Sequence, residues 1–432
     1  MRFVIVADTY APLRTSGAIQ IGDLANEFAL QGYKPTVIVP GGALGVPWKV
    51  ERANGVTVLR CRTPPTKDVG YARRTINELR LPYALLRGLR QSDLRNERWD
   101  GVVWYSPSIF LGPVVRVLRR ENECRSYLIL RDIFPEWAVD MGLLKRGAAY
   151  QFFKMIERNQ YSVADTVGVQ TAANLGYLSE WARRRGRRVE VLQNWLAEAR
   201  DNRSSILIER SKLAGRKIFV YAGNMGVAQG MDILIELAAR MRDRMDIGFL
   251  FVGRGSEVAR LVAKVEAEGL ENVLFHDEID PDEIPGLLAQ CHVGIVALDP
   301  RHRAHNVPGK FLTYMQAGIP VLARINPGND LEKLINDARV GRVCTGGNAA
   351  TLQRLADELI ADPQERIAMR DRGRALARRL FSPATAVRQI VEALSSNQQS
   401  VNRRESIGIS ASRKIGVARM LLGKPGKGER GK

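Results

Sequence analysis

Through the first half of the chain, short apolar runs alternate with longer amphipathic stretches. RFVIVA (2–7), PTVIVP (35–40), VTVLRC (56–61), GVVWYS (101–106), SYLILR (126–131) and TVGVQ (166–170) are nearly unbroken apolar segments of strand length. Continuous rather than alternating hydrophobicity marks strands buried on both faces. The longer patterns between most of them read as covering helices, so a parallel sheet flanked on both sides is predicted. VEVLQNW (189–195) closes this half, and the polar AEARDNRSS (197–205) reads as a linker. The alternation then restarts with KIFVYAG (217–223), IGFLFVG (247–253), NVLFHD (272–277), VGIVAL (293–298) and IPVLA (319–323). GMDILIELAARM and EVARLVAKVEAEG, with apolar positions three and four apart, predict helices between these strands. A helical run from about 349 to 396 follows, and from Gln398 the chain turns polar and basic.

The expected fold class is therefore α/β, with two facing Rossmann-like domains and a cleft between them. The expected divisions are residues 1–196 for the first domain, 197–213 for the linker and 214–380 for the second. A C-terminal helix, 381–397, is expected to cross back to the first domain, and 398–432 form a basic tail. A length of 432 residues suits two such cores better than one.

Composition changes this picture in one respect. Hydrophobic residues make up 45% and charged residues 26%, as in globular proteins, and no apolar run approaches the roughly 18–20 residues of a membrane span. MRFVIVADTY is a strand running into Asp8 without signal-peptide character, so a cytoplasmic location is expected. Cys61, Cys124, Cys291 and Cys344 stand singly and read as buried free thiols. His276, His292 and His302 show no ligand spacing, so no metal site is expected. The informative number is a formal charge of +19, which calls for an anionic partner. Residues 71–99 hold seven arginines beside Leu79, Leu81, Leu85, Leu86 and Leu89; 181–188 add five, and 401–432 carry nine Lys/Arg against two Glu. Apolar side chains among arginines suit an acidic membrane surface, and a peripheral position on the inner face of the cell membrane is expected. No basic recognition helix with stacking aromatics belongs to a known nucleic-acid module, so no nucleic-acid partner is expected.

Several short motifs fall where strands end. Gly223, Asn224 and Gly226 in AGNMG are small or polar residues between a strand and a helix, where backbone N–H groups can approach a phosphate. Gln229 follows, able to donate a hydrogen bond but without charge. Lys310 stands in the first turn of a helix opened by Pro308, so its ammonium and the helix N-terminus would address one anion. Ser16 and Gly17 occupy the loop after the first strand; a helix N-cap at Thr15 or Ser16 is an equally good reading. Asp132 and Glu136, in LRDIFPEWAVDMG (130–142), lie at a strand's carboxyl end, where ligands gather in open α/β sheets. Arg254 stands between Gly253 and Gly255 after another strand, facing the base or phosphate region or simply solvent.

In order and spacing, FVYAGNMGVAQGMDILIELA (219–238), FLFVGRGSE (249–257), NVLFHDEIDPDEIPGLLAQCHVGIVAL (272–298) and VPGKFLTYMQAGIPVLA (307–323) resemble glycosyltransferase family 4. ADTYAPLRTSGAIQIGDLANEFALQGYKPTVIVP (7–40) and LRDIFPEWAVDMG continue the likeness, which covers about residues 1 to 390. It resembles most the bacterial O-antigen, capsule and colanic-acid transferases, the fucosamine transferases among them. The resemblance implies the GT-B fold and a retaining, metal-independent transfer without a cofactor. The donor it implies is a nucleotide sugar, UDP-linked, with N-acetylfucosamine one candidate, and the acceptor is a lipid-diphosphate-linked saccharide. Members of that family carry two glutamates eight positions apart, and the matching positions here hold His305 and Thr313. Many members also place Lys or Arg where Gln229 stands. The resemblance puts Thr313 near the ribose and His305 near the donor sugar, with Lys310 replacing the missing cation and Asp132 orienting a sugar. Two other readings stay open: a catalytically inactive sugar-nucleotide scaffold, favoured by those departures, and a nucleotide-sugar 2-epimerase, for which no acid/base set is visible.

Overall fold

The structure, a computed structural model, describes residues 1–395 apart from 14, 67–68, 141, 199–202 and 300–306. The basic tail from 401 therefore lies outside the described residues.

Eight strands build the first sheet: β1 (Arg2–Val6), β2 (Lys34–Pro40), β3 (Trp48–Ala53), β4 (Val56–Cys61), β5 (Gly101–Ser106), β6 (Arg125–Leu130), β7 (Thr166–Val169) and β8 (Arg188–Val191). Their spatial order is β3-β4-β2-β1-β5-β6-β7-β8, all parallel except the β3–β4 pair. β3 was not among the predicted strands. It turns into β4 through Asn54-Gly55, with φ of 52° and 78°, the backbone that a two-residue hairpin demands.

Helices of this half are α1 (Ser16–Leu30), α2 (Tyr71–Gln91), α3 (Gly112–Asn122), α4 (Glu136–Asp140), α5 (Ala148–Ser162) and α6 (Ser179–Ala182). Alternation along β1 assigns the layers: Phe3 and Ile5 face α1, while Val4 and Val6 face α2 and α3.

The second sheet runs β11-β10-β9-β12-β13-β14, all parallel. Its strands are β9 (Lys217–Ala222), β10 (Ile247–Val252), β11 (Val273–His276), β12 (Val293–Ala297), β13 (Val321–Ile325) and β14 (Gly341–Thr345). The helices are α7 (Asp232–Arg240), α8 (Val258–Ala267), α9 (Ile284–Leu288), α10 (Gly309–Ala317), α11 (Asp330–Ala338), α12 (Ala349–Ala361), α13 (Pro363–Leu380) and α14 (Pro383–Ser395). The expected single helical run past 349 is three helices because Pro363 and Pro383 each start a new one.

α14 does not stay with the second sheet. Val387, Ile390 and Leu394 pack into the core of the first half with Phe3, Ile5 and Phe28, and each such side chain contributes roughly 1.5–3 kcal/mol by leaving water. Arg125 Nη1 donates to the Ala393 carbonyl at 3.2 Å, fixing the end of the helix. The segment joining the halves is also tied down: Trp195 Nε1 donates to the Gln20 carbonyl at 2.8 Å and Leu196 N to the Phe381 carbonyl at 2.9 Å. Across the cleft, Ala173 N donates to Asp330 Oδ2 at 2.9 Å. Among the described residues no helix is long and apolar enough to cross a membrane.

Candidate functional site

Both sheets reverse their strand order once near the middle, between β1 and β5 and between β9 and β12. At such a switch the loops leave in opposite directions and open a crevice at the carboxyl ends, which is where ligands bind in this kind of sheet. Most of the motifs singled out above fall on these two crevices.

The second crevice is made of backbone. After β9, Gly223 has φ of 136°, and its N–H is held by the Val252 carbonyl at 2.9 Å. Met225 N donates to the Arg254 carbonyl at 2.8 Å, so the loops after β9 and β10 are laced together. This contact explains the glycines on both sides of Arg254. A β-carbon on Gly253 would stand 2.2 Å from the Gly223 oxygen, and one on Gly255 2.1 Å from the Met225 oxygen. Gln229 turns inward: its Oε1 accepts from Gly226 N at 2.9 Å and from Asn224 Nδ2 at 3.2 Å, tying the loop together.

α10 aims its N-terminus into the same region, and no side chain caps it. Lys310, in its first turn, lays its amine over the Tyr221 ring, 3.7 Å from the centroid, and donates to the Tyr221 hydroxyl. Burial alone pulls this amine down to about 7, and burial also pushes the Tyr221 phenol well up. Gly223, Asn224, Gly226, Gln229 and Lys310 thus form one cluster: backbone N–H groups, a helix N-terminus and one enclosed amine. Such a cluster stabilises a dense anion. Tyr221 was missed because it reads as one more apolar strand residue.

The first crevice is made of side chains. Thr15 caps α1 by accepting from Ala18 N at 3.4 Å, which leaves Ser16 exposed in the first turn. Gly17 lies close to the sheet: a β-carbon there would meet Thr9 and Tyr105 at 3.2 Å. The Tyr105 hydroxyl donates to Gln20 Oε1 at 3.0 Å. Asp132 follows β6, one strand from the switch. Burial raises its carboxyl above the ordinary aspartate range, against the opposing pull of Arg131. Arg131 itself is fixed, donating to the Leu192 and Gln193 carbonyls at 2.7 and 3.2 Å and stacking 4.9 Å from the Trp195 ring centre. Tyr105 and Arg131 also belong to this crevice, and in the sequence each reads as ordinary strand material.

Other expected site residues stand apart. Glu136 is paired with Lys154 at 2.9 Å and accepts from the Tyr150 hydroxyl at 2.9 Å. Burial would raise its carboxyl, but these partners outweigh it and hold it below the usual range. Arg254 is 81% exposed and pairs with Glu278 at 3.2 Å, so its backbone rather than its guanidinium serves the loop. Thr313 Oγ1 donates to the Gly309 carbonyl at 3.3 Å, and the residue lines an outer groove of about 720 Å³ between α9, α10 and α13. His305 lies outside the described residues. Among the described residues no three His, Cys, Asp or Glu side chains cluster as metal ligands would.

Comparison with known proteins agrees with this fold. Residues 17–195 match the family described as glycosyl transferase 4-like domain, and residues 216–362 match glycosyl transferases group 1. The chain is similar to the putative colanic acid biosynthesis glycosyl transferase WcaI of Escherichia coli K12, 26% identical over 321 residues, 68% of this chain and 76% of that protein. In fold it is similar to sucrose-phosphate synthase from Thermosynechococcus elongatus, with a TM-score of 0.67 at 15% identity over 92% of this chain and 99% of that one. Anabaena HepE in complex with UDP gives a TM-score of 0.64 at 17% identity over 92% of this chain and 100% of that one. The architecture is GT-B.

Proposed function

We propose that this chain, a glycosyl transferase 4-like domain followed by a glycosyl transferases group 1 domain, moves a sugar from a UDP-sugar to a lipid-diphosphate-linked saccharide during surface polysaccharide synthesis. One observation carries the reading: the enclosed Lys310 amine, the Gly223 loop and the N-terminus of α10 converge at the switch point of the second sheet. These groups would take the charge that grows on the departing diphosphate, with no metal and no cofactor required. The departing phosphate would accept the acceptor's proton on the same face of the sugar. Configuration is then retained without a dedicated base, which accounts for activity with His305 and Thr313 in place of two glutamates. Asp132, beside the first switch point, would orient the acceptor, with Ser16 and Gly17 forming the neighbouring wall.

A lipid-borne acceptor suits the outer surface of the first half. Of the leucines expected at the interface, Leu81, Leu85 and Leu89 are instead buried in the core; helix α2 exposes Tyr71, Ile76, Leu79 and Tyr83 among its arginines, and on the same layer Met155 of α5 is exposed as well. Apolar side chains between arginines favour an interface with anionic lipid, where the protein would sit peripherally on the inner membrane face. An N-acetylated deoxysugar such as N-acetylfucosamine is the donor to try first.

The scaffold reading keeps one specific argument. Gln229 is used inside its own loop and the Thr313 hydroxyl on its own helix, so neither is free to replace a missing charge. The deciding experiment is mass-spectrometric turnover of a UDP-sugar panel, UDP-N-acetylfucosamine included, on a membrane extract with lipid-linked acceptors and EDTA. A sugar-extended lipid is expected. UDP binding with no extended lipid from any donor selects the scaffold.

A further inference from the structure

Among the described residues no carboxylate pairs with the enclosed Lys310 amine. Acids that follow β9, β10 and β11 are engaged elsewhere: Asp232 with Arg260 and Lys264, Glu257 with Arg260, and Glu278 with Arg254. Asp299, after β12, packs against Gly230. Tyr314, one turn along α10, has its hydroxyl between the Val220 carbonyl and Ala222 N, at 3.3 and 3.2 Å. What holds the amine is Tyr221. Its ring face lies 3.7 Å away, and its hydroxyl donates onward to the Asn224 carbonyl at 2.6 Å, which turns an oxygen lone pair toward Lys310. Gly223 supplies the floor, since a β-carbon there would stand 3.5 Å from Cε and 3.7 Å from Nζ.

A carboxylate in the place of Tyr221 would hold the ammonium firmly and repel an incoming diphosphate. A phenol ring holds a cation by only about 0.5–2 kcal/mol and carries no net charge to repel the diphosphate. We infer that Tyr221 is a positioning residue for Lys310: it parks the amine over Gly223 in the empty site and yields it to the donor's diphosphate, the amine taking up one proton from solvent as it becomes the counter-charge. The inference rests on the proposal that this loop takes a nucleotide diphosphate. Since burial has brought the free-site amine down to about 7, the proton is taken up mainly above neutral pH. Donor affinity is then expected to fall about tenfold per pH unit above that point.

Two measurements test it. In the first, acetic anhydride labels Lys310 between pH 5 and 11, with its peptide followed by mass spectrometry in the wild type, Tyr221→Phe and Tyr221→Leu. A wild-type midpoint near 7 is expected, lowered further in Tyr221→Leu, which keeps the burial but removes ring and hydroxyl, and lowered part of the way in Tyr221→Phe, which keeps the ring. A wild-type midpoint near the ordinary value, or one indifferent to both substitutions, overturns the inference. In the second, calorimetry of UDP-glucose at pH 8 in buffers of different ionisation heat is expected to show close to one proton taken up, absent in Lys310→Met. Binding without uptake also overturns it. If neither UDP nor UDP-glucose binds while labelling behaves as expected, the nucleotide reading fails and the pairing of Tyr221 with Lys310 stands.

Discussion

At the first switch point charge and hydroxyl groups come in company: Arg131 lies beside Asp132, backed by two carbonyls and the Trp195 ring, and Tyr105 bonds Gln20. At the second, one amine lies over a phenol ring, surrounded by backbone. The first arrangement is already neutralised and suits an uncharged ligand whose hydroxyls must be oriented. The second, among the described residues, pairs its amine with no anion and suits a ligand that brings one. Two sheets of similar topology thus present different chemistry, because side chains build one crevice and main chain builds the other.

The sharpest way to break this contrast is to remove the amine. Lys310→Ala is expected to lower kcat/KM for the UDP-sugar on the order of 10²-fold, about 2.7 kcal/mol, with the acceptor KM unchanged. An equal loss in both substrates would erase the division of labour. Next comes the backbone itself. Gly253→Ala forces a β-carbon against the Gly223 oxygen at φ of 143° and is expected to cost on the order of 2 kcal/mol, read as a lowered Tm together with weakened UDP binding.

A smaller effect has a sign that can be worked out. The Lys310 amine titrates lower in the folded chain than in the unfolded one, so the unfolded state binds more protons between about 7 and 10.5 and stability rises with pH across that window. Below it, the full cost of burying the amine is present. Lys310→Met is therefore expected to stabilise the empty protein at pH 7 by about 1–2 kcal/mol and to lose that advantage toward pH 10.5, as denaturant midpoints at the two pH values would show. The smallest change falls on the first crevice. Asp132→Asn is expected to raise the acceptor KM roughly tenfold, about 1.4 kcal/mol, while UDP-sugar hydrolysis without acceptor stays as it was.

The central parallel strands were legible because they are apolar along most of their length, as burial on both faces requires. Strand β3, WKVERA, was missed because an antiparallel edge strand is half-exposed and polar, although the Asn54-Gly55 turn after it was there to be read. β14, GRVCT, was missed for the same mixture of burial and exposure. At the site, the glycine loop and Lys310 were visible because small residues and a charge stand out at strand ends. Tyr221, Tyr105 and Arg131 were not. Each looks like ordinary strand material until the sheet order shows which strand ends face a crevice. The opposite error befell Arg254, whose charge drew notice while the flanking glycines made the contact.

Helix α14 has a consequence for how the molecule comes into being. The apolar floor formed by Phe3, Ile5 and Phe28 is synthesised long before part of its cover, Val387 through Leu394. While the ribosome is still translating the second half, that floor stays partly uncovered and open to the wrong neighbour. The first half cannot be excised as a finished module, and a premature stop before residue 383 would leave its sheet partly bare of cover as well as shorten the protein.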